Sequence, residues 1–269
     1  MPEGHIIHRL AGAYGERFAG RKARVTSPQG RFAESAKLLD RRVMEGAEAY
    51  GKHLFLGFGS RGWVRVHLGL YGKVAFAPGR GGEVVGQVRL RMANADWFAD
   101  LRGPAACELI GEGERAAVLD RLGPDPLRAD ADPDRAWRRV SKSKTSIAAL
   151  LMNQEVVAGV GNIYRAEVLF RHGIDPYREG KALERDEWDA IWADLVGLMR
   201  LGVENKRIDT VRDEHMPEAM GRPPRVDDHG GEVYVYRRAS MPCHVCGSSV
   251  SQAAMAGRNL FWCPTCQKS

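Results

Sequence analysis

Apolar residues at the start of the chain fall at helical spacing: in HIIHRLAGAYGERF (5–18), Ile6, Leu10, Tyr14 and Phe18 recur every fourth position. That period predicts an amphipathic helix starting almost at the terminus, with Pro2 and Glu3 held in its first turn. From about Arg21 to Ile110 the period shortens to two, most clearly in HLFLGF (53–58), WVRVHL (63–68) and QVRLRM (87–92). Val64, Val66 and Leu68 share one face while Arg65 and His67 share the other. Val88, Leu90 and Met92 alternate with Arg89 and Arg91 in the same way. Short glycine-broken strands with one apolar face predict antiparallel sheets packed as a sandwich.

LGPDPLRADADPDR (122–135) is rich in Pro, Asp and Gly and reads as a linker. Helical spacing then returns in three stripes: Ile147, Leu150 and Leu151; Ile163, Ala166, Leu169 and Phe170; and Trp188, Ile191, Trp192, Leu195, Leu198 and Met199. Arg212 to Glu232 is polar and Pro/Gly-rich, which predicts a mobile loop, and VYVYRR (233–238) predicts a strand. The resulting division is a β domain over 1–120, a linker over 121–134, a helical domain over 135–232 and a cysteine-bearing module over 233–269. Cys107, Trp188 and Trp192 are assigned to the core.

The cysteines change this picture most. Four of the five form Cys243-His-Val-Cys246 and Cys263-Pro-Thr-Cys266, separated by sixteen residues. An odd count without an export signal argues for metal rather than disulfides. Four thiolates close a tetrahedral shell that suits one structural Zn²⁺, with Cys243, Cys246, Cys263 and Cys266 as ligands and His244 left at the surface. Between the knuckles lies MAGRNLFW (255–262), which offers Arg258 at a hairpin tip above Phe261 and Trp262. A tip arginine suits a forked pair with a phosphate, and on spacing alone it is equally a solvated side chain.

Charge adds a partner class. With 40 Lys+Arg against 34 Asp+Glu the formal charge is +6, which suits a polyanion without requiring one. No apolar run is long enough to span a bilayer, and MPEGHIIHRL carries Glu3 and His residues where a secretory signal needs apolar ones. The expectation is a cytoplasmic protein with no membrane contact. A glycine turn, Ala158-Gly159-Val160-Gly161-Asn162, joins two of the predicted helices. It permits close approach of a phosphate at the next helix start, or is an ordinary turn with Asn162 as N-cap.

Taken together, the chain resembles the formamidopyrimidine-DNA glycosylase / endonuclease VIII (Fpg/Nei) family, and the correspondence runs from end to end. It rests on Pro2-Glu3-Gly4, Gly51-Lys52-His53-Leu54, His67-Leu68-Gly69-Leu70-Tyr71-Gly72, the GVGNIYRAEVLF segment and GRNLFWCPTC, in the family's order. The resemblance implies an α+β multidomain fold: an N-terminal antiparallel β-sandwich with an N-terminal helix, a helical helix–two-turn–helix domain and a C-terminal zinc finger. It implies a monomer binding double-stranded DNA with damaged bases or abasic sites in a cleft. By the same matches Pro2 is the Schiff-base nucleophile and Glu3 an acid assisting sugar ring opening. Lys52 is assigned to β-elimination and phosphate contact, Asn162 to phosphate contact, and Arg258 to phosphate contact and δ-elimination.

The chemistry suits these residue types. An α-amino group titrates at roughly 7.7–8.0, so a usable fraction is neutral where lysine, near 10.4, is not. Proline's secondary amine, freed by removal of Met1, forms a cationic iminium with the sugar C1′. That cation acidifies the C2′ proton and opens strand cleavage by elimination. Glu3 can shuttle a proton from a dry site. Arg258, a poor proton donor, suits anchoring and charge stabilisation better. Leu70 and Tyr71 are candidates to fill the space of an extruded nucleotide, their rival reading being core at the end of WVRVHL. They favour the Nei-like branch and oxidised pyrimidines. The alternatives are Fpg-like excision of 8-oxoguanine and formamidopyrimidines, mainly AP lyase action, or a non-enzymatic damaged-DNA binder. The Fpg loop's Arg and Phe have at most Arg102 as a counterpart, in Asp100-Leu101-Arg102-Gly103.

Overall fold

The computed structural model describes residues 2–227 and 231–268. The chain divides into two compact units, Met1–Arg121 and Leu122–Ser269. The first unit begins with α1 (Gly4–Phe18), followed by β1 (Arg21–Thr26), α2 (Ala33–Leu39), β2 (Arg42–Met44), β3 (Gly46–Tyr50) and β4 (His53–Gly57). It continues with β5 (Trp63–His67), β6 (Lys73–Pro78), β7 (Val88–Ala93), β8 (Trp97–Arg102), β9 (Ala106–Ile110) and α3 (Glu112–Arg121). Two antiparallel sheets form the sandwich, a five-stranded one in the order β2-β1-β7-β8-β6 and a four-stranded one in the order β3-β4-β5-β9.

The predicted alternation holds: Leu54, Leu56, Val64, Val66, Leu90 and Met92 point into one apolar cluster with Leu10, Tyr14 and Phe18 of α1. Each such side chain, taken fully from water, stabilises the fold by about 1.5–3 kcal/mol before entropy is counted. The helix is rotated slightly from its sequence reading, because Ile7 is buried and Ile6 only partly so. In the five-stranded sheet a register shift between Val88 and Leu90 interrupts the pairing of β7 with β8. Cys107 packs at the edge of this core, and burial pushes its thiol up to about 12.

The second unit contains α4 (Pro133–Val140), α5 (Ile147–Met152), α6 (Asn162–Arg171), α7 (Arg185–Asn205), α8 (Pro217–Met220) and the hairpin β10 (Ser251–Met255) and β11 (Arg258–Trp262). All three predicted stripes are helical, and Trp188, Ile191, Leu195 and Met199 of α7 are fully buried. A capping box starts α7, with Glu184 and Glu187 each taking the other's backbone N–H.

Three sequence readings change here. Residues 122–126, read as linker, are buried: Gly123 N–H donates to Gln154 O and Pro124 O accepts from Ala158 N–H. Prolines and Asp125 are there for a packed turn, not for flexibility. Residues 233–238 are not a strand: the N–H groups of Tyr234, Val235 and Tyr236 go to the Glu167 carboxylate, and that of Arg238 turns back to Val235 O. Finally, 212–232 is tied down on both sides of 228–230, which lie outside the described residues. Arg222 pairs with Glu232 at 2.6 Å, Arg225 pairs with Asp227 at 2.6 Å, and Thr210 N–H donates to Glu232 O.

Among the described residues no helix is long and apolar enough to cross a membrane.

Candidate nucleic-acid interface and zinc centre

In the first unit the candidate residues sit at element ends. Pro2 and Glu3 immediately precede α1, and Glu3 is fully buried. A carboxyl shielded from water is what an acid in a dry site requires. Met1, whose removal would free the Pro2 amine, lies outside the described residues. Lys52 occupies the two-residue turn between β3 and β4, where Tyr50 pairs with His53 and Gly51 takes a left-handed φ of 56°. Helix α1 packs on both these strands.

His67, opposite His53 across β4 and β5, lies within electrostatic reach of Lys52. Burial, then the Lys52 and Arg65 charges, lower its pKa. His53, its ring 5.1 Å from that of His67, is pushed down to about 3 by burial and by His67 and Arg65. Arg65 Nε donates to His53 Nδ1 at 3.3 Å and its Nη1 pairs with Glu108 at 2.7 Å. Burial thus disfavours the charged form of both histidines beside the Lys52 turn. In the sequence His53 enters only as part of a motif, and His67 as part of another and as a polar-face neighbour of Arg65; the cross-strand pairing of the two is what the structure adds.

Leu70 and Tyr71 are 50% and 84% exposed, so they are not core. Their loop is nevertheless a fixed turn: Gly72 N–H donates to Leu68 O at 3.0 Å, and Ala105 N–H donates to the same oxygen at 3.3 Å. Gly69 has φ +66°, and a Cβ there would lie 2.7 Å from that of Ala105. The chain thus presents two apolar side chains to solvent from a tight turn, at a cost in solubility that a surface loop would ordinarily avoid. Arg102, by contrast, lies at the end of β8 with its guanidinium bonded to Asp100 and to Val85 O.

In the second unit Gly161 caps α6, and Asn162 is its first residue. The Asn162 side chain is turned to the cysteine hairpin. Its Nδ2 donates to Asn259 O at 2.9 Å, while its Oδ1 accepts from the buried Arg165 guanidinium. Asn162 therefore fixes the hairpin beside the helix start instead of capping its own helix. Gln154, which the sequence reading passed over, clamps the glycine turn: its amide donates to Met152 O and Val160 O and accepts from Gly159 N–H.

The hairpin reverses through Ala256 and Gly257, with φ of 50° and 70°, and Arg258 follows as an exposed side chain. Phe261 and Trp262 anchor it as expected, with rings 5.5 Å from Tyr236 and 5.4 Å from Tyr177.

Below the hairpin the four cysteine sulfurs lie within 4.8 Å of one another, with 3.9 Å between Cys243 and Cys266 and 3.5 Å between Cys246 and Cys263. A tetrahedral zinc with Zn–S bonds of about 2.3 Å needs S–S edges of about 3.8 Å, and these sulfurs fit it. Four thiolates leave no open position, so the ion is structural. Gln267 ties the knuckle to the helical body, accepting from Cys263 N–H and donating to Ile174 O, both at 2.9 Å.

Three family descriptions match in succession. They are the formamidopyrimidine-DNA glycosylase N-terminal domain over 1–107, the formamidopyrimidine-DNA glycosylase H2TH domain over 122–213, and a zinc finger found in FPG and IleRS over 241–268. The chain belongs to the Fpg/Nei family of DNA glycosylases. It is 52% identical over 274 residues to endonuclease 8 1 of Mycobacterium tuberculosis, covering 99% of this chain and 100% of that protein. A formamidopyrimidine-DNA glycosylase of Prochlorococcus marinus is 31% identical over 215 residues, 77% of this chain and 74% of that one. Lactococcus lactis Fpg complexed with abasic-site DNA shares the fold at a TM-score of 0.79 and 22% identity, covering 99% of this chain and 100% of that one.

Proposed function

We propose that this glycosylase is bifunctional, releasing oxidised bases, pyrimidines above all, and then cutting the strand through a Schiff base on Pro2. The observation that carries the reading is a fully buried Glu3 beside Pro2, in a chain 52% identical over its whole length to an endonuclease 8 1. With Met1 removed, the neutral Pro2 nitrogen attacks C1′, the glycosidic bond breaks, and the base departs with a proton. Glu3 passes a proton to the sugar ring oxygen as the ring opens. The resulting iminium acidifies C2′; loss of that proton breaks the 3′ C–O bond, and a second elimination breaks the 5′ one. Lys52 and Arg258 anchor phosphates and stabilise the departing charge, and Asn162 acts by holding the Arg258 hairpin at the α6 start. Leu70 and Tyr71 enter the stack in place of the extruded nucleotide, a reading that their exposure favours over a place in the core.

Borohydride reduction on abasic-site duplex tests the mechanism. Wild type is expected to give a covalent protein–DNA product carried by Pro2, and Pro2→Ala far less. Mass spectrometry finding Met1 retained on active protein, or the adduct on another residue, sinks it. Faster release of 8-oxoguanine than thymine glycol from matched duplexes would overturn the branch assignment alone.

A further inference from the structure

We propose that the outer face of the five-stranded sheet carries a second phosphate-binding cradle, formed by Lys22, Arg24 and Arg80, that takes a backbone phosphate of DNA lying beyond the damaged nucleotide. The proposal rests on the reading above that the protein binds DNA.

The face has two halves that differ in how their charge is balanced. Near the Leu70–Tyr71 end, Asp100 pairs with Arg91 at 2.6 Å and with Arg102 at 2.8 Å. The chain after β6 folds over this pair, with Gly82 O accepting from Arg91 and Val85 O from Arg102. That half is ion-paired and covered, with one acid shared by two guanidinium groups. At the other end a hollow of about 310 Å³ is lined by Lys22, Arg24, Arg80, Ala93, Asn94 and Ala95. Two-residue alternation puts Lys22 and Arg24 on the same outward face of β1, and Ala93 lies directly opposite Arg24 in the register. Small side chains thus make the floor and cations the walls.

No hydrogen bond or ion pair joins any of the three cations to another described residue. The acid of the adjoining turn, Asp96, is already bonded to Arg21 at 3.1 Å, and Asn94 Oδ1 is taken by two backbone N–H groups. Three unneutralised charges around one hollow repel one another, a cost that an anion between them removes. The chemistry of the lining selects which anion. It has no aromatic ring to stack a base and no acceptor to read one, so it suits a phosphodiester held without regard to sequence. Between Lys73, which follows the wedge loop, and Pro78 β6 rises about 17 Å, or roughly five base-pair steps. A phosphate held there lies outside the damaged nucleotide itself.

The test compares wild type with a Lys22→Gln, Arg24→Gln, Arg80→Gln variant, by anisotropy over a salt series. The two ligands are a hairpin stem of about 8 bp and a duplex of about 40 bp, each with one abasic site, so the short arms end within about 14 Å of the lesion. On the long duplex the variant should bind about tenfold or more weakly at low salt. Its log–log salt slope should fall by about 0.9, the value of one lost phosphate contact. On the short stem both quantities should match wild type, and borohydride trapping should be unchanged. Equal binding of the long duplex by both proteins, or equal losses on both ligands, overturns the cradle. Failure of trapping with the salt-slope difference intact would instead overturn the Schiff-base reading and leave the cradle standing.

Discussion

Asp100 in the sandwich and Glu167 in the helical unit are both buried carboxylates, and they are held by opposite means. Asp100 receives two guanidinium groups, Arg91 at 2.6 Å and Arg102 at 2.8 Å, and its neighbours are regular strands. Glu167, on α6, receives backbone. Tyr234 N–H donates at 2.7 Å, Val235 at 2.9 Å and Tyr236 at 2.8 Å, and the Thr210 hydroxyl donates at 2.6 Å. The first is charge matching between side chains that a sheet has already placed. The second is a template: three successive amides that would otherwise need a partner strand find one acid. It holds the segment leading to Cys243 against the same helix whose first residue, Asn162, binds the hairpin. In the sandwich the acid decorates the fold, whereas in the helical unit it replaces a secondary-structure element.

The comparison breaks most readily at Glu167. Alanine there leaves three buried N–H groups without their acceptor, each costing about 1–3 kcal/mol and not fully additive, while the Thr210 hydroxyl keeps only its longer bond to Glu232 O. We expect a loss of about 4 kcal/mol or more from the second unit, with zinc released to a chromogenic chelator at much lower urea than in wild type. Glu167→Gln, which keeps one carbonyl acceptor, should lose clearly less. Wild-type zinc retention in Glu167→Ala would show that the segment is held by its buried Val233, Tyr234, Val235 and Tyr236 side chains instead.

A smaller effect separates the two cases by rescue. Asp100→Ala strands Arg91, and breaking such a pair costs about 3–5 kcal/mol, largely the uncompensated cation. Adding Arg91→Met should therefore recover at least half of that loss, a coupling that a double-mutant cycle of urea midpoints measures directly. No second substitution can do this for Glu167, because three of its four partners are main chain. Additive losses at Asp100 and Arg91 would erase the distinction.

The same contrast explains what the sequence disclosed. The strands of the sandwich were readable because half-buried strands write a period of two, and Leu54, Leu56, Val64 and Val66 follow it. The three helices and the cysteine quartet were readable for similar reasons, being periodic or spaced by ligand geometry. VYVYRR has the letters of a strand, and nothing local to it reveals that Glu167, 66 residues before its first valine, will take its amides. Residues 122–126 have the letters of a linker, and only the tertiary bond between Gly123 and Gln154 makes them a packed turn. At the candidate site, Pro2, Lys52 and the Leu70–Tyr71 loop are marked by motifs, while the exposure that takes the loop out of the core is visible only in the folded chain.

The smallest expected effect is an acid sensitivity of the first unit. Burial, helped by Arg9, pushes His5 down to about 3, and burial with His67 and Arg65 does the same to His53. Both folded values lie below the unfolded one near 6.5, so between these limits the unfolded chain binds the extra proton. Stability is then fully present above about pH 6.5 and is lost as pH falls toward 3, at up to about 1.4 kcal/mol per pH unit for each imidazole. Urea midpoints measured from pH 7.5 to pH 5 should decline in wild type and decline less steeply in His53→Gln. Thiolate and carboxylate protonation is common to both proteins, so the difference between the two curves isolates His53. Parallel curves would mean that His53 takes up its proton in the folded sheet as it does in the unfolded chain, and that burial does not depress it.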